Sequence, residues 1–441
     1  MSYWDTYRSS RIGRRRALAL GGSAAIGAGL LAACGGESTD DGGQSKQVTQ
    51  PEDTTAQAKR GGTQRWAIDE DTAHFDIFLQ NSPLTSFKNH LHSKFLRMKP
   101  GYKGPQEFLE VEGDAAESWE YAPDLMQLTL KLRPNAKWHN KPPVNGRAFD
   151  SSDVMASWDR FRRMGLLRAA YSNEVNADAP ILSMTAPDGR TIVIKLKEPT
   201  IYMLHVLANP LNGHFGLLPK EADNGYDVRR GIIGLGPYVM ESYEQSSGMV
   251  WKRNPDYWEK DTPYFDTIEV PIITEYATGL SQFRAGALPY FDVRSHDILA
   301  TKKDIPELLM YERPTPAAFP GSGIAFGWQP HGQSPYRDER VRQAVSMAID
   351  RDLYLDVLGD REAYEREGFT IDTMWTSAGL RGGPFWLDPK GSEFGANAKY
   401  YKHDIAEAKR LMAAAATLTA STSFLTSGRS TGRASRKSRT T

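Results

Sequence analysis

Hydrolytic or group-transfer chemistry needs a nucleophile beside a base, a pair of carboxylates or a bound metal. This sequence of 441 residues offers little arranged for any of these. Its one cysteine, Cys34, stands ahead of the body, which leaves the body no thiol nucleophile and no intramolecular disulfide. The one close histidine pair is His90-x-His92. On a helix, i and i+2 do not face each other, so these side chains are expected at the surface rather than on a metal. Asp40-Asp41 and Asp69-Glu70-Asp71 read as solvated faces. The sequence has no G-x-x-x-x-G-K-[ST] phosphate loop, no H-E-x-x-H and no G-x-S-x-G elbow. No catalytic residue, metal ligand or cofactor is therefore expected, and a secreted hydrolase is the weaker reading. Recognition by aromatic rings is the stronger one. Trp328, Trp375, Phe385 and Trp386 fall in segments that read as loops, where aromatic side chains concentrate at binding surfaces. They either contact a ligand or plug the core between domains.

The two ends carry the basic charge. Residues 1–33 hold five arginines against Asp5, and residues 417–441 hold five basic and no acidic residues. With zero net charge overall, the body between them carries −9. An acidic body argues against nucleic acid as a partner, because phosphate binding needs a basic face. The start, "RIGRRRALALGGSAAIGAGLLAAC", has a basic stretch, a weakly apolar stretch and a small-residue end, the layout of an export signal. Its "LAAC" resembles a bacterial lipobox, in which the cysteine, here Cys34, is lipidated and becomes the mature N-terminus. Arg15-Arg16-Ala17-Leu18 resembles a twin-arginine export signal, without the usual Ser/Thr before it or Phe after it. The alternatives are a small buried cysteine or a short membrane anchor that is retained. Residues 34–60 are polar, show no apolar period and read as a flexible tether. No later stretch approaches the roughly 20 apolar residues of a membrane helix.

Strands and crossover helices must position whatever the body binds. Residues 61–69 read as a first strand, and 82–98 as a helix. In "DLMQLTLKLRP" and "APDGRTIVIKLKEP", apolar residues alternate with polar ones, giving half-buried strands. Between them Ser151 is a candidate N-cap for a helix that carries Val154, Trp158 and Phe161 on one face. Residues 234–258 read as a hairpin around Ser246-Ser247-Gly248. Residues 265–293 read as strand, helix, strand, with Leu280, Phe283 and Ala287 on the packed side of the helix, and hence as a parallel pair. "VRQAVSMAID", 341–350, is an amphipathic helix whose apolar face is Val341, Val345, Ala348 and Ile349, with Asp338 and Glu339 at its positive end. The mix indicates an α/β body with more than one sheet and no internal repeat.

Four segments, in order, resemble one family, the bacterial extracellular solute-binding proteins of family 5. "KWHNKPPVNGRAFDSSDVMASWDRF" is similar to its "F-H-x-G-x-P" turn and "DV-x-x-S-W-x-R" helix, with Asn140-Lys141 in place of an acidic residue and glycine. Gly236, Pro237, Tyr238, Arg253, Asn254, Pro255, Tyr257 and Trp258 fit its "GTGPY…L-x-R-N-P-x-YW" block. "FRAGALPYFDV" resembles its "AGE-x-D" strand with two extra residues. "SPYRDERVRQAVSMAID" resembles its "PF-x-D-x-RVRQA-x-x-x-AID" helix, with Tyr336 in the Phe place.

The resemblance implies an α/β, two-lobe periplasmic-binding-protein-like fold with an extra domain inserted in the first lobe. The expected organisation is 1–33 export signal, 34–60 lipidated Cys34 and tether, 61–100 and 215–315 first lobe, and 101–214 inserted domain. Residues 316–416 would be a partial second lobe and 417–441 an aberrant tail, rich in Ser and Thr and without apolar period. The ligand would lie between the body before residue 315 and a lobe that begins near Gly323. Phe326, Trp328, Trp375 and Trp386 are the candidate ligand contacts. The implied function is capture of peptides, or of oligosaccharides or metal chelates, by a lipid-anchored monomer outside the membrane, with delivery to ABC permease and ATPase subunits. A non-transporting sensor on the same fold is the other reading. The tail is expected to leave the second lobe incomplete; a genuine disordered basic tail is the alternative.

Overall fold

The computed structural model describes residues 48–49, 52–79, 89–99, 110–209, 214–311, 334–369, 375 and 386–415. Cys34, Asp40-Asp41, Gly323, Phe326, Trp328, Phe385 and the 417–441 segment lie outside them. The strands are β1 (Thr63–Arg65), β2 (Leu96–Met98), β3 (Val111–Gly113), β4 (Ala116–Tyr121), β5 (Gln127–Leu132), β6 (Ile181–Asp188), β7 (Thr191–Leu196), β8 (Tyr238–Glu244), β9 (Gly248–Arg253) and β10 (Thr267–Pro271). The helices are α1 (Ser151–Met164), α2 (Arg168–Tyr171), α3 (Met203–Ala208), α4 (Tyr276–Arg284), α5 (Ser295–Asp304), α6 (Glu339–Ala348), α7 (Arg351–Gly359), α8 (Arg361–Arg366) and α9 (Ile405–Ala414).

Alternation builds the antiparallel sheet β4-β5-β7-β6. Leu128 lies opposite Ile194 and Leu130 opposite Ile192, all four buried, while Lys131 and Lys195 point to water. Each such side chain contributes about 1.5–3 kcal/mol when fully buried. Helix α1 covers this sheet with Val154, Trp158 and Phe161, as its spacing predicts. Its N-cap is Asp150 rather than Ser151. Asp150 accepts from Ser152 N, and Asp153 at N3 accepts from Asp150 N at 3.2 Å, a reciprocal capping box that a serine one residue later would not close.

A second sheet runs β1-β10-β9-β8. The hairpin β8–β9 forms where expected, and β10 pairs antiparallel with β9. The parallel partner of β10 is β1, with Thr63 opposite Thr267. The expected second strand at the end of 265–293 is absent: α4 is followed by residues without strand structure. Pro289 cannot donate to a ladder, and Phe291 turns back onto α4, stacked on Phe283 and against Tyr276 and Gly279. The expected helix over 82–98 is also overridden at its end. Residues 96–98 are β2, paired with β3 so that Arg97 lies opposite Glu112 and bonds it at 2.6 Å.

In the expected second lobe, Asp338 caps α6, and the buried face is Val341, Ala344 and Met347 rather than Val341, Val345, Ala348 and Ile349. The face turns because α9 lies against it, adding Ala408 and Leu411 to one small core. Ala348 is left exposed. Tyr364 on α8 donates to the carbonyl of Ser295 at the head of α5, a direct tie to the preceding body.

The largest core crosses the expected boundaries of the inserted domain. Phe78, Phe95 and Phe215 pack with Trp158, Phe161 and Tyr171 in edge-to-face and stacked pairs. Over this core, Arg160 of α1 reaches both oxygens of buried Asp76 (3.1 and 2.6 Å) and Asp223 at 2.5 Å. Among the described residues, no helix is long and apolar enough to cross a membrane.

Removing one member of a buried ion pair strands the other. Asp76→Ala leaves Arg160 only the part-exposed Asp223 as partner and frees Phe78 N, so it should cost about 1–3 kcal/mol and lower the urea midpoint accordingly. Asp159→Ala, which breaks only exposed pairs with Arg162 and Arg163, should change stability by less than about 1 kcal/mol. Equal effects of the two would contradict this account of the core.

Candidate functional site

The residues with the strongest sequence pattern meet at one point. His139 donates its backbone N–H to Gly234 O (2.9 Å), and its Nδ1 accepts from Gly234 N (3.1 Å). Because Nδ1 accepts, Nε2 carries the proton, and it donates to Gly236 O at 3.1 Å. Asn254 Nδ2 donates to the same carbonyl at 3.0 Å, and Asn254 N to Pro237 O at 2.8 Å. Gly236 N in turn donates to Leu91 O. Neither glycine has room for a side chain. A Cβ on Gly234 would lie 1.8 Å from Leu91 O, and one on Gly236 2.5 Å from His90 O. Tyr257 and Trp258 stack on each other in the main core, and Arg253 binds Tyr264 O and Asp266. These residues join segments of the body.

Burial depresses the His139 pKa to about 4, helped by the Lys141 charge and opposed by the bond to Gly236 O. His92 is buried, which corrects the expectation that both histidines of the pair lie at the surface. Its neighbour His90 is half-buried among aromatic rings: Trp66 meets it edge-on at 5.6 Å, with Trp251 at 5.8 Å and Tyr238 at 6.2 Å. Trp66 immediately follows β1, at the carboxyl end of the parallel pair β1/β10. Open α/β sheets bind ligands outside the carboxyl ends of their strands. Sequence reasoning missed Trp66, which it placed inside the strand expected over 61–69; the structure ends β1 at Arg65. Asp71 is also not a freely solvated group. It accepts from Tyr243 Oη (2.5 Å) and Ser246 N (2.7 Å) and pins the β8–β9 turn. Burial pushes its pKa up, but these hydrogen bonds outweigh that and hold it below the ordinary value.

Two of the four candidate ligand contacts are described, and the fold brings them together. Trp386 Nε1 donates to Trp375 O at 3.3 Å. Trp375 is buried, and its Nε1 donates to Asp352 Oδ1 at 2.9 Å. Lys390 Nζ lies 4.5 Å from the Trp375 ring and bonds the same carboxylate oxygen at 2.8 Å. That bond is the main reason the Asp352 pKa is held low, with Trp375 adding to it. Arg351, 6.0 Å from the ring, is anchored on Ser346 O and Tyr401 O. Trp375 is thus a fixed support, whereas Trp386 is half-buried. Among the described residues, no group of three or more His, Cys, Asp or Glu is placed to hold a metal ion.

Comparison with known proteins places this arrangement. The family model of the bacterial extracellular solute-binding proteins, family 5, matches residues 110–437. A di/tripeptide-binding protein of Pseudomonas aeruginosa (strain UCBPP-PA14) is 26% identical over 259 residues, covering 55% of this chain and 46% of that protein. The dipeptide-binding protein DppE of Bacillus subtilis (strain 168) is 24% identical over 260 residues, covering 55% and 44%. The match thus spans about half the length of these relatives. Among solved structures, the periplasmic binding protein DppA of Helicobacter pylori in complex with the peptide STSA superposes with a TM-score of 0.56 at 20% identity, covering 81% of this chain and 66% of that one. AgaA of A. tumefaciens R10 in complex with agropinic acid gives 0.61 at 22% identity, covering 80% and 64%. The fold is that of periplasmic binding proteins.

The His139 contacts make a pH prediction. Its folded pKa, about 4, lies below the ordinary 6.5. The unfolded chain therefore takes up the proton first as pH falls. The stability from neutral His139 is complete above pH 6.5 and is lost as pH drops from 6.5 toward 4, by up to about 3 kcal/mol. Urea midpoints measured across that range should fall steeply in the parent. In His139→Gln they should start lower and fall less; an unchanged slope would contradict the assignment.

Proposed function

The chain belongs to the bacterial extracellular solute-binding proteins, family 5, and on that premise we propose that it captures peptides outside the membrane for an ABC importer. The observation that carries the peptide reading is the match of its body to relatives named for di/tripeptides and dipeptides. Binding without chemistry is consistent with a sequence that lacks nucleophile, zinc and phosphate-loop motifs. Delivery would be to the permease and its ATPase, by a monomer held at the outer face through lipid on Cys34.

For recognition, we assign the exposed part of Trp386 to the ligand, with Trp375 fixing its position and Phe326 and Trp328 as further contacts. Peptide affinity would come from backbone hydrogen bonds and charges that meet the termini, with aromatic walls for the side chains. A separate aromatic pair, Trp66 and His90, offers a ring surface of the same kind at the carboxyl end of β1.

Titration with di- to pentapeptides should change tryptophan fluorescence. Trp386→Ala should weaken that binding by about 1–2 kcal/mol, roughly tenfold or somewhat more. A flat response to every peptide, with a response to sugars or metal chelates, would overturn the peptide assignment. For the anchor, Cys34→Ser should move the protein from the membrane fraction to the soluble one. Unchanged membrane association would remove Cys34 from that role.

A further inference from the structure

The tether expected between Cys34 and the body is not free along its whole length. Thr49 N donates to Met310 O at 2.7 Å, and Met310 N donates to Thr49 Oγ1 at 3.3 Å. This is a reciprocal contact between residues 261 positions apart. Farther on, residues 55–57 form a single 3-10 turn, with Thr55 N held by Asp53. Arg60 reaches Lys260 O and faces Asp261 at 3.8 Å. Gly61 N donates to Tyr264 O and Gly62 N to Asp266 Oδ2, directly before β1 begins. Both ends of the stretch are therefore fixed to the body, at Met310 and at residues 260–266. Residues 52–60 between them are exposed.

We propose that the chain is strapped to the body at Thr49 as well as at 60–62, so that a lipidated Cys34 would be joined to the protein at Met310 rather than only at β1. The difference is physical. A flexible chain spans about 5–6 Å times the square root of its length. Fifteen residues from Cys34 to Thr49 give an r.m.s. reach of about 20 Å, against about 30 Å if the chain were free to β1. The strap also moves the point of attachment from β1, at the edge of its sheet, to Met310, just after α5. The body would then be held closer to the membrane and would present the Met310 side to it. The membrane consequence rests on Cys34 being the anchor; the clamp itself does not.

Hydrogen exchange on the full chain carrying Cys34→Ser, in detergent where it stays with the membrane, tests the clamp alone. A peptide covering 47–50 should exchange at least about tenfold more slowly than the same sequence free in solution. Thr49→Pro, which has no N–H to donate, should speed exchange of the Met310 amide as well. Thr49→Val keeps the N–H and loses only the hydroxyl, so it should fall between the two. These positions are exposed or half-exposed, and the fold should survive each change, as a parent-like urea midpoint would show. Free-chain exchange at 47–50 in the parent, or identical Met310 exchange in Thr49→Pro, overturns the strap. Membrane fractionation of Cys34→Ser reads the anchor separately, and its failure would leave the clamp standing.

Discussion

The close approach of three backbone segments governs this molecule. Residues 90–91, 139 and 234–236 come so near that two positions admit only glycine. Each approach leaves peptide groups out of water, and the His139 ring satisfies one N–H and one C=O of the 234–236 turn at once. An unpaired buried peptide group costs about 1–3 kcal/mol. A neutral imidazole, one nitrogen donating and one accepting, therefore fits where a charged one would not. This junction fixes the turn after β5 relative to the strand β8, and so sets the larger antiparallel sheet against the sheet that carries Trp66. The shared aromatic core and the Arg160 ion pairs then have fixed partners to meet.

Much of the fold was legible because alternation and turn chemistry are local signals. β5, β7 and the β8–β9 hairpin follow directly from apolar residues two apart and from Ser246-Ser247-Gly248. The errors lie where a distant partner decides. Residues 96–98 have helical spacing but gain a strand pairing and the Arg97–Glu112 bond. Residues 287–293 follow a helix as a parallel strand would, yet Pro289 and the pull of Phe291 toward α4 keep them out of the sheet. The buried face of α6 turned by one position because α9, about 60 residues later, supplies its cover.

The candidate site shows the same limit. The family blocks led to His139, Asn254, Tyr257 and Trp258, and all of them hold the body together. Their strong pattern reflects burial and close packing. Trp375 and Trp386 could be named from loop position alone, but not that one supports the other, nor that Asp352 holds the Trp375 indole N–H while Lys390 lies over its ring. His90 and Trp66 meet across more than 20 residues of sequence, a contact that no local pattern announces.

Together these features describe a first body, a smaller helical unit tied to it through Tyr364 and Ser295, and aromatic side chains on both. The central claim built on them is the proposed capture of a peptide. Mass spectrometry of the small molecules that co-purify with the full chain tests it most directly. The account predicts short peptides of mixed sequence, released on unfolding. Recovery of a sugar, an opine or a metal chelate with no peptide would contradict it.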